Sequence, residues 1–392
     1  MIKDSATNQV YFSDKLKNPE YKLFLKDLSK ELKKNDIRIK FLKGTNDIWC
    51  RDYMPVKVNA DKYILFNYSP DYLKGYEETI SNGEVVCNTN KIRYIKSSLR
   101  IDGGNVVCSE NKVILTNKIF KENSGLTKNT IINKLRNLFE TDYIIIIPHS
   151  PFDALGHADG IVRFLNDDTV LVNKFNNSSD ELAFQNKLFG ILGSNGLNII
   201  QIPYIPDYKK TVDGIETAIG CYINYLEVGK FIYLPFFGDD ENDYNALNCF
   251  EKIFGKNVYP VDSSIIAAKG GGLNCISWSI ESQSWPSKVV LPKEFDCHEM
   301  QNYVFDHVNF RLFYFEYDII QSCFREVWER NPYKINTIDI AEKIYSEMFS
   351  YRRKQLIPKS DLLEVVNNLA DYMCTISIYD YLLIEEDIPR EC

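Results

Sequence analysis

Four short stretches of the 392-residue chain hold most of the side chains able to do chemistry together. They are Asn46-Asp47-Ile48-Trp49-Cys50-Arg51-Asp52, Asp102-Gly103-Gly104-Asn105, Gly156-His157-Ala158-Asp159-Gly160 and Gly270-Gly271-Gly272-Leu273-Asn274-Cys275. Each also has an ordinary reading. Asp-Gly-Gly-Asn is turn sequence, because glycine frees φ while Asp and Asn favour turns. Asp52 beside Arg51 suits a local ion pair, Trp49 suits a core, and a lone Cys is usually a buried apolar residue. Three successive glycines are harder to absorb, since they cost chain entropy and are useful where the backbone bends sharply or a ligand comes close. His157 and Asp159, two residues apart, share a face if their segment is extended.

Taken together, two carboxylates, an imidazole and a thiol suit a planar cation edged with N–H donors. Guanidinium is such a cation, and carboxylates grip it through paired hydrogen bonds. Asp52 and Asp159 would hold it from its two ends, with its carbon over Cys275. Nearby positive charge favours the thiolate that would attack that carbon. His157 would give a proton to departing ammonia and then take one from water. The covalent intermediate splits one difficult substitution into two easier steps. A papain-like protease also pairs Cys with His, but it needs a third group to orient the imidazole and an oxyanion hole. Here both acids serve better as cation clamps. The four histidines, at 149, 157, 298 and 307, show no paired spacing, so neither a metal nor another cofactor is expected.

The elements that must position these groups repeat. Apolar runs at 161–164 and 169–172 flank the turn Asn166-Asp167-Asp168, which predicts a β-hairpin. A helix follows over 180–192, with Asp180 as N-cap and Leu182, Phe184, Leu188, Phe189 and Leu192 as its buried stripe, then a strand at 198–202. The same unit runs from Val106 through a turn at 109–111 and a helix at 127–139 to a strand at 143–147. Another starts at Tyr222, turns at 227–229, and continues with a helix near 244–254 and a strand at 258–261. A weaker copy has strands at Val56, 63–66 and 92–95, and a fifth is assembled from 276–280, a helix at 19–34 and a strand at 37–41. Hairpins therefore begin near 56, 106, 161, 222 and 276, a spacing that signals a propeller or other repeat architecture. The four chemical stretches fall at equivalent places in the modules, at or just before the first strand. In a repeat set around an axis, such positions converge.

The remaining sequence sets bounds. Lys and Arg number 46 against 54 Asp and Glu, a net charge of −8 that argues against a nucleic-acid backbone as main partner. No apolar run is long enough to span a bilayer, and the polar N-terminus lacks a secretory signal pattern. The ten cysteines are irregularly spaced without a Cys-x-x-Cys pair, which suits reduced thiols and a cytoplasmic protein. Residues 286–392 read as an appended, mostly helical region, leaving 1–285 as the unit that carries the chemistry.

The four stretches, in this order, resemble those of the agmatine deiminase and bacterial (Porphyromonas-type) peptidylarginine deiminase family, within the guanidino-group-modifying (pentein) superfamily. The likeness spans about residues 15–285. It is most specific at Trp49-Cys50-Arg51-Asp52-Tyr53-Met54-Pro55, Asp102-Gly103-Gly104-Asn105, Gly156-His157-Ala158-Asp159 and 272–275, with support from Tyr222-Ile223-Asn224 and Pro235-Phe236-Phe237-Gly238-Asp239. It implies an α/β fold, a five-bladed pseudo-symmetric propeller of ββαβ modules. It implies Cys275 as nucleophile, His157 as general acid and base, and Asp52 and Asp159 on the guanidinium. Asp102, Asn105 and Gly272 would line the pocket, with Trp49 and Arg51 in or behind its wall. The implied reaction converts a guanidino group to a ureido group plus ammonia, on agmatine, arginine or peptidylarginine. The chain departs from the family pattern at Met54, where Gly is usual, and at Asn274, where His is common. Asp102-Gly103-Gly104 is closer to the peptidylarginine type than to the Glu-Gly-Gly of agmatine-type members. Amidino transfer, and a non-catalytic module binding guanidinium or a partner, are the alternatives on this scaffold. The helical region could serve self-association.

Overall fold

The computed structural model describes residues 3–281, apart from 60–61, 176–177 and 212–213. They build five separate three-stranded sheets. In the first, Tyr63–Asn67 lies between Val56–Lys57 and Ile95–Arg100. In the second, Lys112–Thr116 lies between Val107–Cys108 and Tyr143–Ile147. The third sets Thr169–Asn173 between Val162–Asn166 and Asn198–Ile202, and the fourth Phe231–Phe236 between Leu226–Val228 and Val258–Asp262. Every middle strand runs antiparallel to the first and parallel to the third. A tight turn makes the first pairing, whereas the parallel one requires a crossover. The helices Gly83–Thr89, Lys128–Phe139, Ser179–Ser194 and Asp240–Phe254 supply those crossovers.

The fifth sheet joins the two ends of the described chain. Gln9–Ser13 runs antiparallel to Ser277–Ile280 and parallel to Arg38–Leu42, with the helix Lys22–Lys34 crossing over. The module expected from 276–280, 19–34 and 37–41 lacks this middle strand. Gln9–Ser13 has no hairpin partner nearby in sequence to announce it.

Local signals explain most elements and their shifted edges. The Thr127 hydroxyl accepts the Thr130 N–H, and the helix it starts buries Ile131, Leu135 and Phe139 four apart. The next helix is capped by Ser178 rather than by Asp180, because Ser178 is extended and its side chain accepts the Glu181 N–H. Asp180 falls in the first turn, where a negative charge suits the helix dipole. Leu182, expected in the buried stripe, is exposed, while Phe184, Leu188 and Leu192 are buried. The fourth crossover helix begins earlier than expected, with Asp239 as cap and an acidic first turn. Its hairpin starts at Leu226 rather than Tyr222 and turns after Val228, where Gly229 takes φ +60. The third strand of the first module is Ile95–Arg100 rather than 92–95.

Five apolar clusters link these sheets in order and close the cycle. Phe66, Leu99, Leu115 and Phe139 join the first to the second. Ile147, Val162 and Leu188 join the second to the third, and Leu171, Ile202, Leu234 and Phe250 the third to the fourth. Tyr233 and Val261 pack with Phe12 and Leu28 between the fourth and fifth. Leu42 and Trp278 of the fifth then meet Leu65 and Val86 of the first. Each fully buried side chain of this kind contributes roughly 1.5–3 kcal/mol. No described helix is long and apolar enough to cross a membrane. The helical region expected over 286–392 lies outside the described residues.

Candidate active site

Every module contributes polar groups from the segment just ahead of its first strand. Asp52 stands on the short helix Cys50–Tyr53, before Val56–Lys57. Asp102 precedes and Asn105 ends the single helical turn Gly103–Asn105, before Val107–Cys108. His157 and Asp159 precede Val162–Asn166, Asn224 precedes Leu226–Val228, and Cys275 precedes Ser277–Ile280. All seven side chains are buried.

Gly104 is where three of them meet. Its N–H donates to Asp52 Oδ1 at 2.8 Å, and its carbonyl accepts the Asp159 N–H at 3.0 Å. A Cβ at this position would lie 2.7 Å from Asp52 Oδ1, 2.7 Å from His157 Nδ1 and 3.3 Å from Asp159 Oδ1. Only glycine leaves the space that these groups share.

His157 sits between two carboxylates. Its Nε2 is 3.0 Å from Asp102 Oδ2, and its Nδ1 is 3.6 Å from Asp52 Oδ1. Burial alone would lower its pKa, but Asp52 and Asp102 outweigh that and raise it to about 9. Asp52 is raised to about 7, by burial first, with Asp102 and Asp159 adding and His157 opposing. His157 is therefore charged at neutral pH, poised as an acid.

Cys275, His157, Asp159 and Asn224 line one cavity, together with Gly271, Asp153 and Glu216. Asn224 Oδ1 lies 3.3 Å from both the sulfur and the backbone nitrogen of Cys275. Burial, then the charges of Asp159 and Asp52, push the Cys275 thiol well above its ordinary range. The glycine run lets the chain pass close to its neighbours. A Cβ at Gly271 would lie 2.3 Å from the Trp49 ring, and one at Gly272 would lie 2.5 Å from Asn224 Oδ1. Trp49 thus backs the cavity wall rather than facing into it.

Asp52, Gly272, Arg51 and Asn105 are brought close but do not line this cavity, and Asp52 meets it through Gly104 and His157. Arg51 Nη2 donates to Asn274 Oδ1 at 2.9 Å and its Nε to Asn274 O at 3.3 Å. It lines a second cavity, which shares Asp159 with the first but not Cys275 or His157. Asn105 Oδ1 accepts the Thr116 N–H at 2.9 Å, bracing the turn that carries Gly104. Asp102 likewise reaches the site through the imidazole. Asn224, Asp153 and Glu216 drew no role from the sequence. Asn224 had a usable signal, since it occupies the fourth module's counterpart of the position held by the other groups. Among the described residues, no group of three or more His, Cys, Asp or Glu side chains is arranged to hold a metal ion.

Residues 13–280 match the family described as Porphyromonas-type peptidyl-arginine deiminase, and the chain belongs to that family. It is a hydrolase of the deiminase class, acting on the C–N bonds of amidines. A Streptococcus mutans protein assigned as an agmatine deiminase is 25% identical over 287 residues, covering 63% of this chain and 77% of its own. Among solved structures, C. jejuni agmatine deiminase is 20% identical with a TM-score of 0.56, over 71% of this chain and 94% of that one. The agmatine deiminase of Enterococcus faecalis gives a TM-score of 0.55 at 15% identity, over 71% and 94%. At these identities the structures speak for the fold, an α/β chain of small mixed sheets.

Proposed function

We propose that residues 1–285 form a five-bladed propeller that hydrolyses the guanidino group of agmatine through a covalent Cys275 intermediate. The carrying observation is the meeting of Asp52, His157 and Asp159 around Gly104, beside the cavity that Cys275 lines. Guanidinium bound between Asp52 and Asp159 offsets the two charges that hold the thiol up, and the thiol proton is released to solvent. The sulfur then bonds to the guanidinium carbon. His157 gives a proton to one nitrogen, the C–N bond breaks, and ammonia leaves a thiouronium on the enzyme. Neutral His157 next takes a proton from water, whose oxygen bonds to the carbon. The C–S bond breaks, the ureido product forms, and the remaining O–H proton passes to the sulfur or to solvent.

The choice of agmatine rests on the charged residues that line the cavity beside the reacting groups. No Lys or Arg lines it among the described residues, whereas Asp153 and Glu216 do. Asp153 accepts the Leu155 and Gly156 N–H groups at 2.9 and 3.1 Å, and burial raises its pKa. Glu216 shares its Oε1 with the exposed Lys210 at 3.0 Å. Two acids favour an ammonium at the distal end, and disfavour the α-carboxylate of free arginine. The Asp-Gly-Gly variation that pointed toward peptidylarginine bears on the imidazole, because Asp102 contacts His157.

The purified 392-residue chain assayed with agmatine, free arginine and an arginine peptide tests this reading. Agmatine should give equimolar ammonia and N-carbamoylputrescine, and Cys275→Ala should give neither. Loss of the ureido product when an acceptor amine is added would convert the reading to amidino transfer. Turnover that survives in Cys275→Ala would reject the nucleophile.

A further inference from the structure

Lys118 opens the short helix Lys118–Glu122, and its side chain is buried. Its Nζ donates to Leu155 O at 2.7 Å and lies 3.3 Å from Asp71 Oδ1, 3.2 Å from Glu122 Oε1 and 3.5 Å from Asp102 Oδ2. It also sits 4.7 Å from the centroid of the Tyr72 ring, which meets the His157 ring edge-on at 5.9 Å. Burying an ammonium is costly, and only paired charge offsets that cost. The Asp102 oxygen it approaches is the one 3.0 Å from His157 Nε2. One carboxylate oxygen thus stands between the ammonium and the imidazole. Lys118 does not line the cavity of Cys275, so it is no contact for substrate there.

We propose that Lys118 is a positioning residue for deimination: by sharing Asp102 Oδ2 it fixes the carboxylate that orients His157, and it keeps the imidazolium acidic enough to give up its proton. The proposal rests on His157 acting as the acid. Four acids from four elements bear on His157: Asp52 of the first short helix, Asp102 of the second module's turn, Glu122 of the Lys118 helix and Asp153 of the loop before His157. Asp159 approaches through Gly104, and Tyr72 adds an uncharged ring. Lys118 is the positive charge set against them. Without it, a bare Asp102 would grip the imidazolium more tightly, and an acid that holds its proton too firmly transfers it slowly.

The test is the pH profile of kcat on agmatine for the wild type, Lys118→Met, Lys118→Arg and Glu122→Gln. Lys118→Met should lower kcat by about tenfold or more, leaving KM within about threefold. It should also move the alkaline limb up by about half a pH unit, and Glu122→Gln should move that limb down. Lys118→Arg, which keeps the charge, should recover most of kcat. An alkaline limb that stays in place in Lys118→Met, or an Lys118→Arg enzyme as slow as Lys118→Met, would overturn the proposal. If Lys118→Met does not fold, an unmoved limb in Glu122→Gln overturns it equally. A wild type that yields no ureido product would instead remove the deiminase reading on which the proposal rests.

Discussion

Asn274 Nδ2 donates to Asp159 Oδ2 across 2.7 Å, and the next residue along is Cys275. The thiol and one of the two carboxylates proposed to hold guanidinium are therefore linked through a single side chain. Arg51 Nη2, donating to Asn274 Oδ1 at 2.9 Å, sets the amide so that its NH2 faces Asp159. Removing a donor from a buried carboxylate costs about 1.5–3 kcal/mol. Asn274→Ala should thus lower kcat/KM on agmatine by roughly ten- to a hundredfold, with far-UV circular dichroism unchanged. Wild-type kinetics in this variant would mean that Asp159 is held by other groups.

Gly104→Ala offers a sharper probe of the same geometry. Its methyl group would have to displace Asp52 Oδ1 and His157 Nδ1, both 2.7 Å from the new carbon. Displacements of this size at a reacting centre cost about a hundredfold or more in rate. Activity should fall to near background, while the sheets, whose cores lie elsewhere, keep the thermal transition close to that of the wild type. Retention of a tenth of the activity would place the reacting groups away from Gly104.

The two raised pKa values set opposite limbs of the pH profile. On the proposed mechanism Asp52 must be ionised to hold guanidinium, so kcat/KM should decline as pH falls through about 7. On the same mechanism His157 must be protonated to release ammonia, so the rate should decline as pH rises through about 9. The groups are coupled, and the limbs report the cluster rather than single residues. Bound guanidinium favours ionised Asp52, so the acid limb of kcat should lie below that of kcat/KM. Finding both acid limbs at one pH would show that Asp52 does not contact the substrate cation.

Much of this site could be read from the sequence because repetition marks equivalent positions. Asp52, Asp102 and His157 each stand just ahead of an apolar run that begins a hairpin, and Cys275 stands just ahead of the matching first strand Ser277–Ile280. Asn224 shares that position, but its single amide carries no chemical signature of its own. The strand Gln9–Ser13 was missed for a different reason. Its partners are a strand near residue 280 and one beyond a helix, so no local turn betrays it. Lys118 is harder still, since its meaning comes from oxygens on Asp71, Asp102, Glu122 and Leu155 that only the closed ring gathers. Arg51 shows the converse: adjacency to Asp52 suggested an ion pair, yet its half-buried guanidinium turns to Asn274, where it finds two oxygen acceptors.

The proposed selectivity for a distal ammonium can be tested by changing protein and substrate together. Asp153 lines the cavity with Cys275, and both of its oxygens already accept backbone N–H groups. Asp153→Asn removes the charge and keeps the shape, although its NH2 must then face one of those donors. A charge-assisted contact is worth about 1.5–3 kcal/mol, so KM for agmatine should rise by roughly tenfold or more. Butylguanidine has the same guanidino group and four-carbon chain but no amine, and it should lose little in the same variant. Local distortion would raise KM for both compounds alike, which separates it from loss of an ammonium contact. Glu216→Gln should give the same pattern more weakly, because Lys210 already pairs with its Oε1 at 3.0 Å and the Ala154 N–H donates to its Oε2 at 2.9 Å. Equal losses on both substrates in both variants would remove the acidic pair from substrate recognition, and with it the preference for agmatine over an arginine carrying a carboxylate.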